Sequence, residues 1–273
     1  MTAASDSEPS NAFTPPTKVL GREARVVRKR FYKAVTVAPV SGGFAVHLDG
    51  RGVRTPAKAP LLLPVEALAA ALAEEWQAQG EELKPATMPL TTLACTAIDA
   101  VANTMPAVAE DIGSYAMSDL LCYRAEAPDG LVERQAAGWD PLLAWAEREL
   151  TVTFERTSGL MPVAQSPRVA GQMVVAVGGL DALQLAAVHV LTSLMGSAIL
   201  ALAVLRQRLD IDTAWRLAHI DEHWQIQRWG TDAEAEVRQA ARHKTATAAA
   251  KVLLLSDTNP GLRRPLDGAG YQT

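Results

Sequence analysis

Cysteine is scarce in this chain: Cys95 and Cys122 are the only two among 273 residues. Neither belongs to a Cys-x-x-Cys pair, which excludes zinc ribbons and thioredoxin-like redox motifs. Both sit in apolar stretches, as reduced buried thiols of a cytosolic protein do. Positive charge is not in excess either. The formal net charge is -4, whereas a general nucleic-acid binder carries a basic stripe. The single basic run, residues 22–30 (REARVVRKR), reads as a solvated flank ahead of the folded part. The apolar run at 191–205 (LTSLMGSAILALAVL) falls short of the roughly 20 residues that a membrane span needs. It is expected to be a buried core helix, with no membrane insertion. The first residues, MTAASDSEPSNAFTPPTK, lack the charged-then-apolar layout of a secretory signal and the Arg-rich, acid-poor character of a transit peptide. Their Ser, Pro and Asp content points to a disordered lead-in.

Catalytic signatures are missing as well. There is no G-x-x-x-x-G-K-[ST] phosphate loop, no G-x-G-x-x-G after a strand and no G-x-S-x-G elbow. One pattern does match: His219-Ile220-Asp221-Glu222-His223 fits H-x-x-E-H, the inverted zinc-protease arrangement. Two histidines four apart share a helix face and could hold a metal, with Glu222 as general base. Three fixed positions in five carry little specificity, and a further ligand would have to come from elsewhere. Exposed helical histidines, with no metal and no cofactor, are the preferred reading. A metal-dependent hydrolase is the alternative.

What the chain does contain is pattern. From Phe31, Val35 and Val37 alternate with smaller or polar residues, as do Phe44, Val46 and Leu48, with Ser41-Gly42-Gly43 and Asp49-Gly50 as turn signals. This predicts a three-stranded antiparallel meander, with residues 61–63 as a further strand. Such a sheet requires a cover for its apolar face. Pro64 opens a helix running to Gly80. The remainder is helical in period, over 90–101, 105–117, 131–150, 168–177, 181–194 and 197–209. Asp210 or Asp212 caps a helix ending near Trp229, Gly230 terminates it, and Thr231 or Asp232 caps a last one to about Leu255. The expected fold is α+β: a disordered lead-in at 1–28, a small β-rich unit with one helix at 29–85, a larger all-α domain at 86–256 and a loose tail at 257–273.

The helix from Ile211 to Trp229 is the informative one. At about 100° per residue, Ile211, Trp215, Ala218, Ile226 and Trp229 form one stripe, with Glu222 in its middle. A carboxylate there destabilises the fold unless it is paired or wet. It is either a buried Glu bonded to an Arg or an amide, or a groove-lining acid awaiting a partner's basic or amide group. Leu217, Ile220 and Trp224 lie on the far side. Trp215, Trp224 and Trp229, with Trp139 and Trp145 upstream, are core aromatics or interface anchors.

Ordered blocks carry a family resemblance. They are Arg30-Phe31-Tyr32-Lys33, Leu48-Asp49-Gly50-Arg51, Arg54-Thr55-Pro56, and Glu75-Trp76-x-x-Gln79 within AEEWQAQ. Met88-Pro89-Leu90-Thr91-Thr92-Leu93, Thr96-Ala97-Ile98-Asp99, Asp119 to Arg124, Trp139-Asp140-Pro141-Leu142 and Asp221 to Gly230 follow. Together they resemble the F1-ATPase alpha-subunit assembly chaperones (ATP synthase mitochondrial F1 complex assembly factor 2 and bacterial relatives). The family often has an acidic residue and an aromatic ring where His223 and Trp224 stand, so the H-x-x-E-H match is a local coincidence. The resemblance implies a small β domain followed by a helical one. It implies a non-enzymatic chaperone without a nucleotide site, whose partner is the unassembled F1-ATPase alpha subunit rather than nucleic acid or a small-molecule substrate. Asp221 and Glu222 carry over as functional acids, with Trp224 and Trp229 as partner-binding rings and Trp76 and Asp99 as structural residues. A general holdase with many clients, or a fixed part of a stable complex, are the rivals. Absence of a presequence favours the bacterial cytoplasm over the mitochondrial matrix.

Overall fold

The computed structural model describes residues 29–159 and 161–256. The lead-in expected at 1–28 and the tail expected at 257–273 lie outside the described residues, as does most of the basic run.

The alternating segments form the predicted sheet. β1 (Val35–Val40) pairs antiparallel with β2 (Gly43–Leu48), in a register running from Val35 opposite Leu48 to Val40 opposite Gly43. β3 (Arg51–Gly52) and β4 (Leu62–Leu63) both pair with β2 along its other edge. The turn between β1 and β2 requires glycine: Gly43 has φ +143°, and a Cβ there would strike the Leu63 carbonyl oxygen. Asp49 closes the second turn, its carboxylate accepting from the Ala34 amide at 2.8 Å. The cover for the sheet is α1 (Glu66–Gln77), whose Leu68, Ala69 and Leu72 bury into a cluster with Val46, Leu61 and Leu63.

The helical part follows in chain order. It comprises α2 (Pro89–Asp99), α3 (Met105–Ala116), α4 (Asp129–Leu150), α5 (Pro167–Val177), α6 (Ala182–Met195), α7 (Ala198–Leu205), α8 (Ile211–Ala218), α9 (Ile220–Trp229) and α10 (Ala233–Ser256). Two-residue strands β5 (Tyr123–Arg124) and β6 (Thr157–Ser158) pair in parallel beside α4. The apolar run at 191–205 is not one helix. Gly196, at φ +66°, ends α6, and the Ser197 hydroxyl caps α7 by accepting from the Leu200 amide. Both pieces are buried, and α6 packs against α2, α3, α7 and α10.

A fully buried carboxyl fixes that corner. Asp119 accepts from the Ser197 hydroxyl at 2.8 Å, the Ile199 amide at 3.0 Å and the Leu121 amide at 3.1 Å. Burial raises its pKa to about 6 despite these bonds.

One hydrophobic cluster runs from the sheet into the helices, and the Glu75-Trp76-x-x-Gln79 phrase joins the two. Glu75 reaches the start of α2, accepting from the Leu90 amide, the Thr91 amide and the Thr91 hydroxyl, each at 2.8 Å. The half-buried Trp76 ring meets Tyr32 edge-on at 5.7 Å, and the Tyr32 hydroxyl donates to the Trp76 carbonyl. Gln79 is buried and fastens the following turn through Thr87 and the Lys84 amide. Asp99, at the end of α2, accepts from the Ala57 amide at 3.0 Å and so ties the β-unit loop to the helices. Trp76 therefore contacts the residue leading into β1, while the polar flanks of the motif, which the sequence reading passed over, hold α2.

Candidate functional site

The segment from Asp210 to α10 departs from the single helix expected to end at Trp229. Asp210 caps α8 as anticipated, its carboxylate accepting from the Thr213 amide at 2.7 Å. The helix then breaks at His219, with φ -120° and ψ 31°. The cause is local. The His219 Nδ1 donates to the Trp215 carbonyl at 2.8 Å, and its ring lies on Trp215 with centroids 4.1 Å apart. His219 is 5% exposed, so it is not the exposed helical histidine that was expected. Burial lowers its pKa.

Beyond the break, α9 has two different faces. The inner face rests on α4, where glycines permit a close approach: a Cβ on Gly138 would lie 3.2 Å from Ile220, and one on Gly130 would lie 2.9 Å from Trp224. Trp224 is half-buried and flanked by two guanidiniums, Arg134 at 4.8 Å and Arg228 at 4.6 Å from the ring centroid. Asp221 is half-buried too and accepts from Gln135 Nε2 at 2.7 Å. These two predicted binding residues hold α9 to α4.

The outer face carries Glu222, Ile226 and Trp229, and these do come together. They line a groove of about 470 Å³ between α9 and α10, with His219, Ala235, Glu236, Arg238 and Arg242 also on its walls. Glu222 is exposed, and no ion pair or hydrogen bond engages its carboxylate among the described residues. The stripe read from the sequence thus divides: Trp215 and Ala218 are core, whereas Ile226 and Trp229 form the wall of an open groove. Trp229 is 77% exposed. Gly230, at φ +80°, turns the chain into α10. The first part of α10 is exposed almost throughout from Ala233 to Ala241; Arg242 and His243 then tie the helix to the body, and its buried residues begin at Ala246. Together, the end of α9 and the start of α10 make an exposed helical hairpin.

The groove's own cations are engaged elsewhere. Arg238 donates to Glu234 and Arg242 to the Leu194 carbonyl at 2.8 Å. The His219 and His223 rings stand 6.4 Å apart. No group of three or more His, Cys, Asp or Glu side chains suited to a metal occurs among the described residues. None of the described helices is long and apolar enough to cross a membrane.

Proteins of known structure share this architecture. Atp12 from Paracoccus denitrificans is 48% identical with a TM-score of 0.77, over 83% of this chain and 97% of that one. A putative chaperone from Agrobacterium tumefaciens is 46% identical with a TM-score of 0.80, over 84% and 86%. The mitochondrial protein atp12 of Schizosaccharomyces pombe is 25% identical over 236 residues, 81% of each chain. Sheet, helical bundle and sequence together define a protein of the chaperone class. The family model described as ATP12 chaperone protein matches residues 29–147, from the first described residue through most of α4. With 48% identity to the Paracoccus protein over 97% of that chain, the protein belongs to the ATP12 chaperone family.

Proposed function

We propose that this protein is an ATP synthase assembly chaperone that binds the unassembled F1-ATPase alpha subunit and keeps it from aggregating until the beta subunit arrives. The α9–α10 groove is the binding surface in this reading. One observation carries that assignment: a tryptophan 77% exposed shares an open groove with Ile226 and a glutamate that has no bonded partner among the described residues. A large exposed ring next to polar groups is the composition of an interface anchor. An orphan ring subunit in turn exposes apolar surface that invites wrong association. The function calls for a complementary surface and no bond-making step, so no cofactor is assigned. Identity to relatives from two bacteria supports a bacterial cytoplasmic setting.

The test is capture of purified alpha subunit by the full chain and by Trp229→Ala and Glu222→Gln. Because Trp229 contributes little to the core, Trp229→Ala should melt like wild type. Its affinity should fall about 30-fold, from the ~2 kcal/mol of an interface hot spot. Glu222→Gln should fold normally and bind more weakly. Unchanged capture by both variants refutes the groove. Equally tight binding of unrelated unfolded proteins replaces the specific chaperone with a general holdase.

A further inference from the structure

The groove contains a second acceptor beside Glu222 that neither the helical wheel nor the family resemblance singled out. His219 is the residue at the start of α9, three before Glu222, so the two side chains are neighbours on the same side. A carbonyl can only accept, and the Trp215 carbonyl is bonded to Nδ1, so Nδ1 carries the proton. In the neutral ring, Nε2 is then a bare acceptor. It has no hydrogen-bond partner among the described residues, yet it is not among the buried polar atoms left unsatisfied, and its ring lines the groove.

Among the described residues the groove thus offers a carboxylate with no bonded partner, a neutral imidazole acceptor and an exposed indole face; Asp232 and Glu236 add acid to its walls, Arg238 is paired with Glu234, and Arg242, bonded to the neutral Leu194 carbonyl, keeps its charge. Each of the first three groups favours a planar, donor-rich cation. A guanidinium can bond Glu222 and His219 with separate N–H groups of its fork, while the rest of the client segment runs along the groove past Ile226 toward Trp229. An ammonium lacks the fork and a carboxylate is repelled. We infer that the α9–α10 groove recognises an arginine side chain on an apolar segment of its client, with His219 Nε2 and Glu222 as the two acceptors. This rests on the groove being the client site.

Several charged groups face the ring or its stacking partner. They are Glu222 and His223 on α9, Arg242 on α10, and, across Trp215, His243 of α10 with its ion-pair partner Asp212 of α8. Protonating His219 turns the acceptor into a donor, so arginine recognition must weaken as pH falls through its titration. Burial, with Arg242 and His223 adding to it, moves that fall to the acid side of the ordinary histidine range.

The experiment titrates the full chain with N-acetyl-arginine amide and with the isosteric N-acetyl-citrulline amide. It reads the His219 Nε2 nitrogen shift by NMR and the indole fluorescence. Arginine should perturb both signals and citrulline neither, with the response lost toward acid pH. His219→Asn keeps a donor for the Trp215 carbonyl and removes the distal acceptor. It should retain the fold while binding the arginine probe and the alpha subunit about 10- to 100-fold more weakly, the effect of losing one charged hydrogen bond. His219→Gln, which restores a distal polar group, should recover part of the loss and abolish the pH dependence. Equal responses to arginine and citrulline, or an undiminished arginine response in His219→Asn, overturn the inference. Failure of wild type to capture alpha subunit while the arginine response persists would remove the client assignment and leave the arginine site standing.

Discussion

Replacing Glu75 by alanine isolates the bond between the β unit and the helical part. The carboxylate meets two amides and a hydroxyl at the start of α2, each at 2.8 Å. Two of those donors are among the orphan amides of a helix N-terminus, where Pro89 already removes a third. Loss of a side-chain cap costs about 0.5–2 kcal/mol. Loss of a negative charge at the positive end of the helix dipole adds about 0.3–1 kcal/mol. Because Thr91 is buried, water only partly replaces the missing acceptor. The total is about 2 kcal/mol, and for a chain of this size it corresponds to a fall in Tm of roughly 4–8 °C. Its neighbour supplies the control. Glu74 is exposed and meets Lys251 at 3.5 Å with solvent around both groups, a pair contributing roughly 0–1 kcal/mol. Thermal melts followed by circular dichroism should therefore separate Glu75→Ala from Glu74→Ala by several degrees. If the two variants melt together, the carboxylate does not hold α2 and this account of the motif is wrong.

Other substitutions test other parts of the framework. Trp76→Ala should cost about 2 kcal/mol in urea denaturation, below the ~3–5 of a fully buried tryptophan, because the ring is only half-buried; a cost above 4 would mean that Trp76 is core. For Asp119, the folded pKa of about 6 lies above the ordinary aspartate value of 3.8. The stability from this group is present below pH ~4 and is lost as pH rises through 6, about 3 kcal/mol in all. Asp119→Asn has no such titration, so its unfolding free energy relative to wild type should rise across that window; a pH-independent difference refutes the shift. In α3, Gly113→Ala would place a methyl 3.0 Å from the Ala170 carbonyl and 2.9 Å from Val174. The resulting strain, about 1–3 kcal/mol, outweighs the ~1 kcal/mol helix gain. Gly171→Ala in α5 meets nothing within 4 Å and should stabilise by about 0.5–1 kcal/mol; the same sign for both variants would refute this packing.

The sheet and most helix limits were readable because their causes are local. Alternation with Gly-rich turns produced β1 and β2, and Asp210 caps where its position before an apolar period suggested. The break at His219 was not readable, since the apolar period continues across it and a histidine side chain bonding its own preceding turn has no compositional mark. Glu222 stood out on the helical wheel, yet only the open groove between α9 and α10 distinguishes a wet acid from a buried paired one. Asp221 and Trp224 looked equally functional in the string. Their partners Gln135 and Arg134 lie far upstream on α4, and that pairing is purely tertiary. Glu75 and Gln79 were quoted inside a motif whose tryptophan drew the attention, although their hydrogen bonds hold the corner.

Helix α10 combines two environments in one 24-residue rod, about 36 Å long. From Ala246 onward Ala249, Val252 and Leu253 are sealed in the core, whereas the turns from Ala233 to Ala241 stand largely in water, ahead of the Arg242 and His243 contacts with the body. Hydrogen exchange along this one helix should therefore run on two clocks. The outer amides are released by fraying of a few turns, and the inner ones only when the whole protein opens. Ligand arriving at the outer turns would slow the first clock alone. Damage to those turns would leave the melting temperature almost untouched, so a thermal screen would pass variants that have lost the working end of the molecule.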